Sequence, residues 1–287
     1  MKKGILIIPD VHGRDFWKEA VDNNKYDKII FLGDYADPYD FEGITDEVTI
    51  ENLKSIIAYK QQNPNKVILL LGNHDLHYFS EYYYELAGGN RYSPHAAISL
   101  QQLFQDNHHL FQLAWETELC DRHILFSHAG ITLSWLKRNI NLIRIPDARH
   151  LNRLIKNDEG MEALAQVGEM RGGNYPSGSM VWADVEELLM SNPIPKTYQI
   201  VGHSMQFDGP IITDKFACLD CRAAFSLDDN GKISPVTDIP SYEGLYYFHK
   251  RFPIRFLTDL VCPRPLETVP WRYMPTMEKG YRCRMVG

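Results

Sequence analysis

Short, almost continuously apolar runs mark the first third of the chain, and each stops at a cluster of small, acidic or imidazole residues. Residues 5–9 run into Asp10-Val11-His12-Gly13, residues 28–32 into Gly33-Asp34, and residues 66–71 into Gly72-Asn73-His74-Asp75. Runs of this length, bounded by turn residues, read as buried strands, while residues 14–21 and 45–62 between them carry helical periodicity. Three strand–helix units in succession predict parallel strands with right-handed crossovers, whose ligands sit at the carboxyl ends of the strands. Further on, the pattern predicts a helix over Pro94–Asp106 and a strand pair within 113–127 that closes at Ser127-His128-Ala129-Gly130. From 131 to 190 the signal is mostly helical, broken by the loop Arg171-Gly172-Gly173-Asn174-Tyr175-Pro176-Ser177-Gly178-Ser179. A strand over 198–201 ends at Gly202-His203-Ser204, and short β segments follow at 210–213, 216–221, 224–227 and 232–236. Asp228-Asp229-Asn230-Gly231 joins the last two as a hairpin turn. Residues 1–240 are expected to form one domain. The Pro- and aromatic-rich stretch 241–287, with weak periodicity, is expected to be an irregular extension packed on it.

The chain has 287 residues, 44% of them hydrophobic, with 30 Lys and Arg against 37 Asp and Glu for a net charge of −7. A chain of this size buries about three quarters of its unfolded surface and needs no external staple. The acidic balance argues against binding to nucleic-acid polymers, which requires a basic surface. The apolar runs fall far short of the roughly 20 residues of a membrane span. Met1-Lys2-Lys3 leads straight into the first strand, so no signal peptide is inferred and a cytoplasmic location is expected. Five cysteines, an odd number, fit free thiols. Cys218-Leu219-Asp220-Cys221 is a lone CxxC with only the distant Cys262 and Cys283 to complete a zinc site, so buried strand cysteines are the expectation.

The polar clusters carry the chemistry. Asp10 and His12, two apart, project from one face if the strand continues through them. Asp34 follows the second strand, Asn73 and His74 the third, and His128 and His203 each follow a later one. Five strand ends thus deliver carboxylate, imidazole and amide groups, a set suited to two divalent ions such as Mn²⁺, Fe or Zn²⁺. A single imidazole at a strand end is more often a core hydrogen-bonding residue, but the whole set in order points to metal. The glycine-rich loop lacks the spacing of a nucleotide P-loop.

Asp10-x-His12, Gly33-Asp34-x-x-Asp37, Gly72-Asn73-His74-Asp75, His128 and Gly202-His203 resemble the calcineurin-like metallophosphoesterases over about residues 4–236. Ser127-His128-Ala129-Gly130 and Val181-Trp182-Ala183-Asp184 are most similar to the phosphoprotein phosphatase branch, and Gly72 through His77 also resembles the symmetrical diadenosine-tetraphosphate hydrolases. The resemblance implies an α/β fold of two stacked mixed β-sheets flanked by helices, with 1–240 as the catalytic domain. It also implies a dimetal phosphoesterase, Mn²⁺ being the expected ion, that hydrolyses phosphomonoesters by direct attack of a water bridging the ions. Asp10 and His12 would bind one ion, Asp34 both, and Asn73, His128 and His203 the other, with His74 as general acid oriented by Asp37.

Two departures bear on substrate. Where the phosphatases have Arg-Gly after the second Asp of GDxxD, and Arg before GNH, this chain has Pro38-Tyr39 and Leu71. Arg171 is therefore the leading candidate to grip phosphate, ahead of Arg14, Arg91 and Arg222; its alternative is an exposed loop charge. Of the other histidines none is expected to act; His77, three residues past His74, is within range of substrate, but the expectation is a solvated or capping role. Trp182 and Tyr82-Tyr83-Tyr84 read as packing, and Asp184 either as a helix N-cap or as support for the site. The substrate is expected to be phosphorylated, a phosphoprotein or a nucleotide, with serine/threonine-phosphatase-like hydrolysis ahead of dinucleoside polyphosphate or nucleotide anhydride hydrolysis. A non-catalytic scaffold is the remaining alternative. It is disfavoured because a carboxylate such as Asp34 would be buried without a cation.

Overall fold

The computed structural model describes residues 4–21, 25–191 and 193–240. The extension expected over 241–287, with Cys262 and Cys283, lies outside the described residues. Eleven strands are described: β1 Gly4–Ile8, β2 Tyr26–Phe31, β3 Val67–Leu70, β4 Phe111–Gln112, β5 Ala114–Leu119, β6 Arg122–Ser127, β7 Thr197–Val201, β8 Ile211–Ile212, β9 Phe216–Cys218, β10 Phe225–Leu227 and β11 Ile233–Pro235. They form a six-stranded sheet, β11-β10-β1-β2-β3-β4, and a five-stranded sheet, β5-β6-β7-β9-β8. β1 through β4 run parallel, while β10 pairs antiparallel with β1 (Ile7 opposite Phe225). In the second sheet β6, β7 and β9 are parallel, and β5 and β8 antiparallel, so both sheets are mixed.

Side-chain alternation explains why these strands read as unbroken apolar runs. Ile7, Ile30 and Leu70 of the first sheet pack on Phe126, Ile200 and Ala217 of the second, all in one buried cluster. Their neighbours Leu6, Ile8, Ile29, Phe31 and Leu69 point the other way and meet helix residues Trp17, Leu53 and Ile56. With both faces covered, every position must be apolar. The outer face of the second sheet, at Val201, Phe216 and Cys218, is covered by Val185 and Leu188 of the helix Val185–Ser191. The result is the layered arrangement of two mixed sheets between helices. The long helix Asp46–Gln62 starts at Thr45, whose side chain accepts from the Val48 N–H, and the helix Pro94–Asp106 starts at Ser93 in the same way.

Several elements are shorter than their sequence pattern. The first helix spans Trp17–Ala20 only, because the chain turns at residues 12–13 and again at 16 before it. β1 stops at Ile8, so Asp10 and His12 do not share a face through strand alternation; a turn with His12 at φ +45° brings them together. No helix among the described residues is long and apolar enough to cross a membrane.

Candidate metal and catalytic centre

Stacking the sheets brings the carboxyl ends of β1, β2, β3, β6 and β7 to one place, where the side chains of Asp10, His12, Asp34, Asn73, His128 and His203 are all buried. Two sets of three donor groups, Asp10/His12/Asp34 and Asp34/His128/His203, each have donor atoms within 4.8 Å of one another and share Asp34. Asp34 Oδ2 lies 3.5 Å from His12 Nε2 and 3.4 Å from His128 Nε2. His128 Nε2 is in turn 3.1 Å from both Asn73 Oδ1 and His203 Nδ1. All six residues predicted to bind metal are therefore together.

The backbone is strained where it delivers these groups. His12, Asp34, Asp37 and His203 have φ of +45°, +53°, +56° and +66°, a region that costs a side-chain-bearing residue about 1 kcal/mol or more. Neighbouring glycines clear the space: a Cβ on Gly72 would collide with Asp34 Oδ1, and one on Gly202 with Asp10 Oδ2. Asp75 fastens the loops, accepting the N–H groups of Asp34 (2.7 Å), Tyr35 (2.8 Å) and Gly72 (2.8 Å). Both oxygens of Asp10 lie 2.9 Å from the His203 N–H, which ties β1 to β7 across the two sheets.

Hydrogen bonding fits the site to cations. His12 Nδ1 is 2.7 Å from the Ala36 carbonyl and His128 Nδ1 is 2.9 Å from the Leu32 carbonyl. A carbonyl only accepts, so each Nδ1 carries a proton; His12 Nε2, facing Arg91 Nη2, keeps its lone pair, and His128 Nε2, facing Asp34 Oδ2 and Asn73 Oδ1, would offer its lone pair once a cation takes the place of its proton. His203 Nε2 is buried without a hydrogen-bond partner. Electrostatics agree. Burial raises the Asp10 carboxyl well above its ordinary range, and Asp220 and Asp34 add to this. Burial also acts to raise Asp34, but His128 and His74 outweigh it and hold that carboxyl well below its ordinary range. His128, though burial disfavours its charge, is pushed up to about 9 by Asp34 and Asp10. Carboxylates that draw a proton onto a buried imidazole are carboxylates a cation would neutralise.

Beside this cluster lies Asp37, whose carboxylate receives three donors: His74 Nδ1 at 2.8 Å, His77 Nε2 at 2.7 Å and the Tyr78 hydroxyl at 2.5 Å. Burial acts to raise Asp37, yet His77 and His74 outweigh it and its carboxyl is held below the ordinary range. The predicted His74–Asp37 pair is in place, with the His74 ring 5.2 Å from that of His12. His77 was expected to be solvated or capping; it is buried and bonded to Asp37, because the helix Asn73–Phe79 puts residues 74, 77 and 78 on one face. Helical spacing after the GNH cluster was the signal that would have found His77 and Tyr78.

Arg171 is not an exposed loop charge: it is 8% exposed, paired with Asp184 Oδ2 at 2.9 Å and donating to Ser204 Oγ at 2.7 Å. Asp184 also accepts the Glu186 N–H at 3.0 Å, as a helix N-cap does. Trp182 is packed in the core and donates from Nε1 to the Tyr83 hydroxyl, as expected of a packing residue. Cys218 and Cys221 are free buried thiols, and Cys218 Sγ lies 3.4 and 3.3 Å from the carbonyls of Gly202 and Ser204, bracing the His203 loop. Arg14 and Arg222 share Glu42, at 3.0 and 3.2 Å. Arg91 reaches into the centre, its Nη2 3.0 Å from His74 Nε2 and 3.4 Å from His12 Nε2.

A sequence model of the calcineurin-like phosphoesterase family matches residues 4–207, a span containing every residue of this cluster. The chain belongs to the calcineurin-like phosphoesterase family. It is accordingly a metal-dependent phosphoesterase acting on a phosphorylated substrate, and the buried His and Asp groups are those that could hold the metal. Among solved structures, the phosphoesterase is similar to a cold-active protein-tyrosine phosphatase of a psychrophilic Shewanella species, at 14% identity and TM-score 0.51, covering 83% of this chain and 81% of that one. Weaker likenesses are to a hypothetical protein from Pyrococcus horikoshii OT3 (9% identity, TM-score 0.41, covering 96% and 98%) and to the phosphatase domain of the Legionella effector WipB (17%, 0.30, 50% and 52%). The Shewanella likeness shows the shared fold of two mixed sheets between helices.

Proposed function

We propose that this phosphoesterase is a dinuclear enzyme that hydrolyses phosphomonoesters in the manner of the serine/threonine phosphatases, with Mn²⁺ as the preferred ion. The observation that carries the reading is the pair of three-donor sets sharing Asp34, with the Asp37–His74 pair at their edge. Asp10 and His12 would hold one ion, Asn73, His128 and His203 the other, and Asp34 both. Bound cations would supply charge for the phosphoryl oxygens and a nucleophilic water at neutral pH. The residues themselves do the rest. Asp37 fixes the His74 ring through Nδ1, so that Nε2, 3.0 Å from Arg91 Nη2, is the nitrogen that would hand a proton to the leaving oxygen when it carries one. Arg171, next to His203 in the field of the site, adds positive charge on the far flank and is proposed to contact phosphate. The Shewanella protein is named a protein-tyrosine phosphatase, whose reaction is monoester hydrolysis, and this supports the class.

A second reading, hydrolysis of dinucleoside polyphosphates or nucleotide anhydrides, is favoured by the Gly72–His77 string and by three guanidiniums, those of Arg14, Arg91 and Arg222, around the Tyr39 ring. Assaying phosphopeptides, mononucleotides and dinucleoside polyphosphates side by side with Mn²⁺ separates the two. The first reading expects the highest kcat/KM on a phosphopeptide; a preference of about tenfold or more for a dinucleoside polyphosphate would transfer the assignment to the second. Arg171→Ala is expected to cost about 2–3 kcal/mol in kcat/KM with metal content unchanged, and kinetics within about twofold of the parent would remove Arg171 from the substrate.

A further inference from the structure

The family arginine after GDxxD is replaced here by Pro38 and the glycine that follows it by Tyr39, and the geometry around the Tyr39 ring points to where that arginine's work has gone. We propose that Arg91, held over the Tyr39 ring, grips the phosphoryl group at its leaving-group end; this rests on the phosphoesterase reading above.

The Arg91 guanidinium carbon sits 3.7 Å from the Tyr39 ring centroid, and the Tyr39 ring meets that of His12 edge-on at 5.3 Å. Stacking fixes the plane of a guanidinium and leaves its N–H edge to point sideways. That edge faces His12 Nε2, a nitrogen proposed for the cation, and His74 Nε2, the nitrogen proposed to meet the leaving oxygen. A phosphoryl group lying between cation and acid would have its oxygens within reach of this one donor. Planar, paired N–H groups are the best match to such oxygens.

The arginine is delivered by a prepared loop. Gly88 and Arg91 take left-handed backbone, at φ +70° and +56°. The next residue, Tyr92, stacks on Tyr78 at 4.8 Å and 16°, and the Ser93 N–H donates to the Tyr78 hydroxyl, the same hydroxyl that donates to Asp37. The arginine and the acid pair are thereby built on one anchor, Tyr78, which fixes their spacing before substrate arrives. The other candidates are placed differently. Arg14 and Arg222 are engaged with Glu42, and Arg171 with Asp184 and Ser204 on the His203 side.

The test compares Arg91→Ala, Arg91→Lys, Tyr39→Leu and Tyr39→Phe with the Mn²⁺-loaded parent. Four quantities are read: KM for p-nitrophenyl phosphate, the inhibition constant of inorganic phosphate, metal content and melting temperature. Arg91→Ala is expected to raise both KM and the phosphate inhibition constant by about tenfold or more, with metal content and melting temperature held. Arg91→Lys should recover only part of that, since a point charge lacks the fork. Tyr39→Leu should weaken phosphate several-fold and Tyr39→Phe restore most of the loss, because the platform is the ring face. Constants for Arg91→Ala within twofold of the parent overturn the proposal while leaving the phosphoesterase reading intact. So does a loss of metal in that variant, which would make Arg91 a support for His12. A parent that takes up Mn²⁺ yet neither hydrolyses the ester nor is bound by phosphate sinks both.

Discussion

Asp34 joins the two donor sets: its carboxylate faces His12 and His128 and accepts the His74 N–H at 3.0 Å. Replacing one of its oxygens removes the charge that would be shared by two cations without changing the side chain's shape. Asp34→Asn is therefore expected to lower kcat by several orders of magnitude and to reduce bound metal, read by elemental analysis beside the assay. A variant with full metal and near-parental kcat would displace Asp34 from the centre. For His74 the expectation is selective. His74→Ala should slow esters of poorly acidic alcohols far more than p-nitrophenyl phosphate, whose leaving group needs little protonation, with metal content little changed. Equal losses on both substrates would take His74 out of the acid role. The sequence named these residues because each follows an apolar run and most stand beside a glycine or another small residue, and the structure gives a reason: Gly72 and Gly202 make room for the carboxylates of Asp34 and Asp10. What it hid was pairing over distance. Nothing local to Asp37 tells that its carboxylate collects donors from residues 74, 77 and 78, or that Arg91 lies on Tyr39.

Strands were the legible elements because β1, β2 and β3 lie between two covered faces and must be apolar throughout. Helices were legible where a capping side chain and amphipathic spacing coincide, as at Thr45 and Ser93, and less so where a turn displaces the pattern, as between residues 10 and 16. The glycine-rich loop and the helix Val185–Ser191 behave as one unit. Glu187 of that helix is 3% exposed and accepts the Gly178 N–H at 2.8 Å, clasping the loop that carries Arg171. Burial pushes the Glu187 carboxyl up to about 7 from its ordinary 4.5. The folded chain then binds more protons at this group than the unfolded chain between pH 4.5 and 7. The stability it contributes is full below 4.5 and falls as pH rises through 7, by an amount on the order of 3 kcal/mol. Glu187→Gln keeps an acceptor for Gly178 without the titration, so the urea midpoint should drop less between pH 5 and 8 than in the parent. Parallel pH profiles for the two proteins would show that Glu187 ionises without cost.

At the scale of the whole molecule, the centre is the seam between the two sheets. β1, β2 and β3 bring Asp10, Asp34 and Asn73 from one sheet, while β6 and β7 bring His128 and His203 from the other, and the Asp10–His203 bonds cross between them. The carboxyls of Asp10, Asp34 and Asp220 sit in the same buried region and raise one another's cost of ionisation. Without cations this concentration of like charge opposes the packing of one sheet on the other; with cations it becomes a cross-link between them. Ligand binding to the folded state alone stabilises by about 4 kcal/mol at a thousandfold excess over Kd, which for a domain of this size corresponds to roughly 10 °C. Chelation should accordingly lower the melting temperature by about that amount, and Mn²⁺ should restore it. Asp34→Asn should shrink the Mn²⁺-induced rise to less than half, because the shared ligand is gone. A melting temperature indifferent to chelator in the parent, or an undiminished Mn²⁺ response in Asp34→Asn, would mean that the sheets are held by apolar packing alone and that the seam does not depend on its ions.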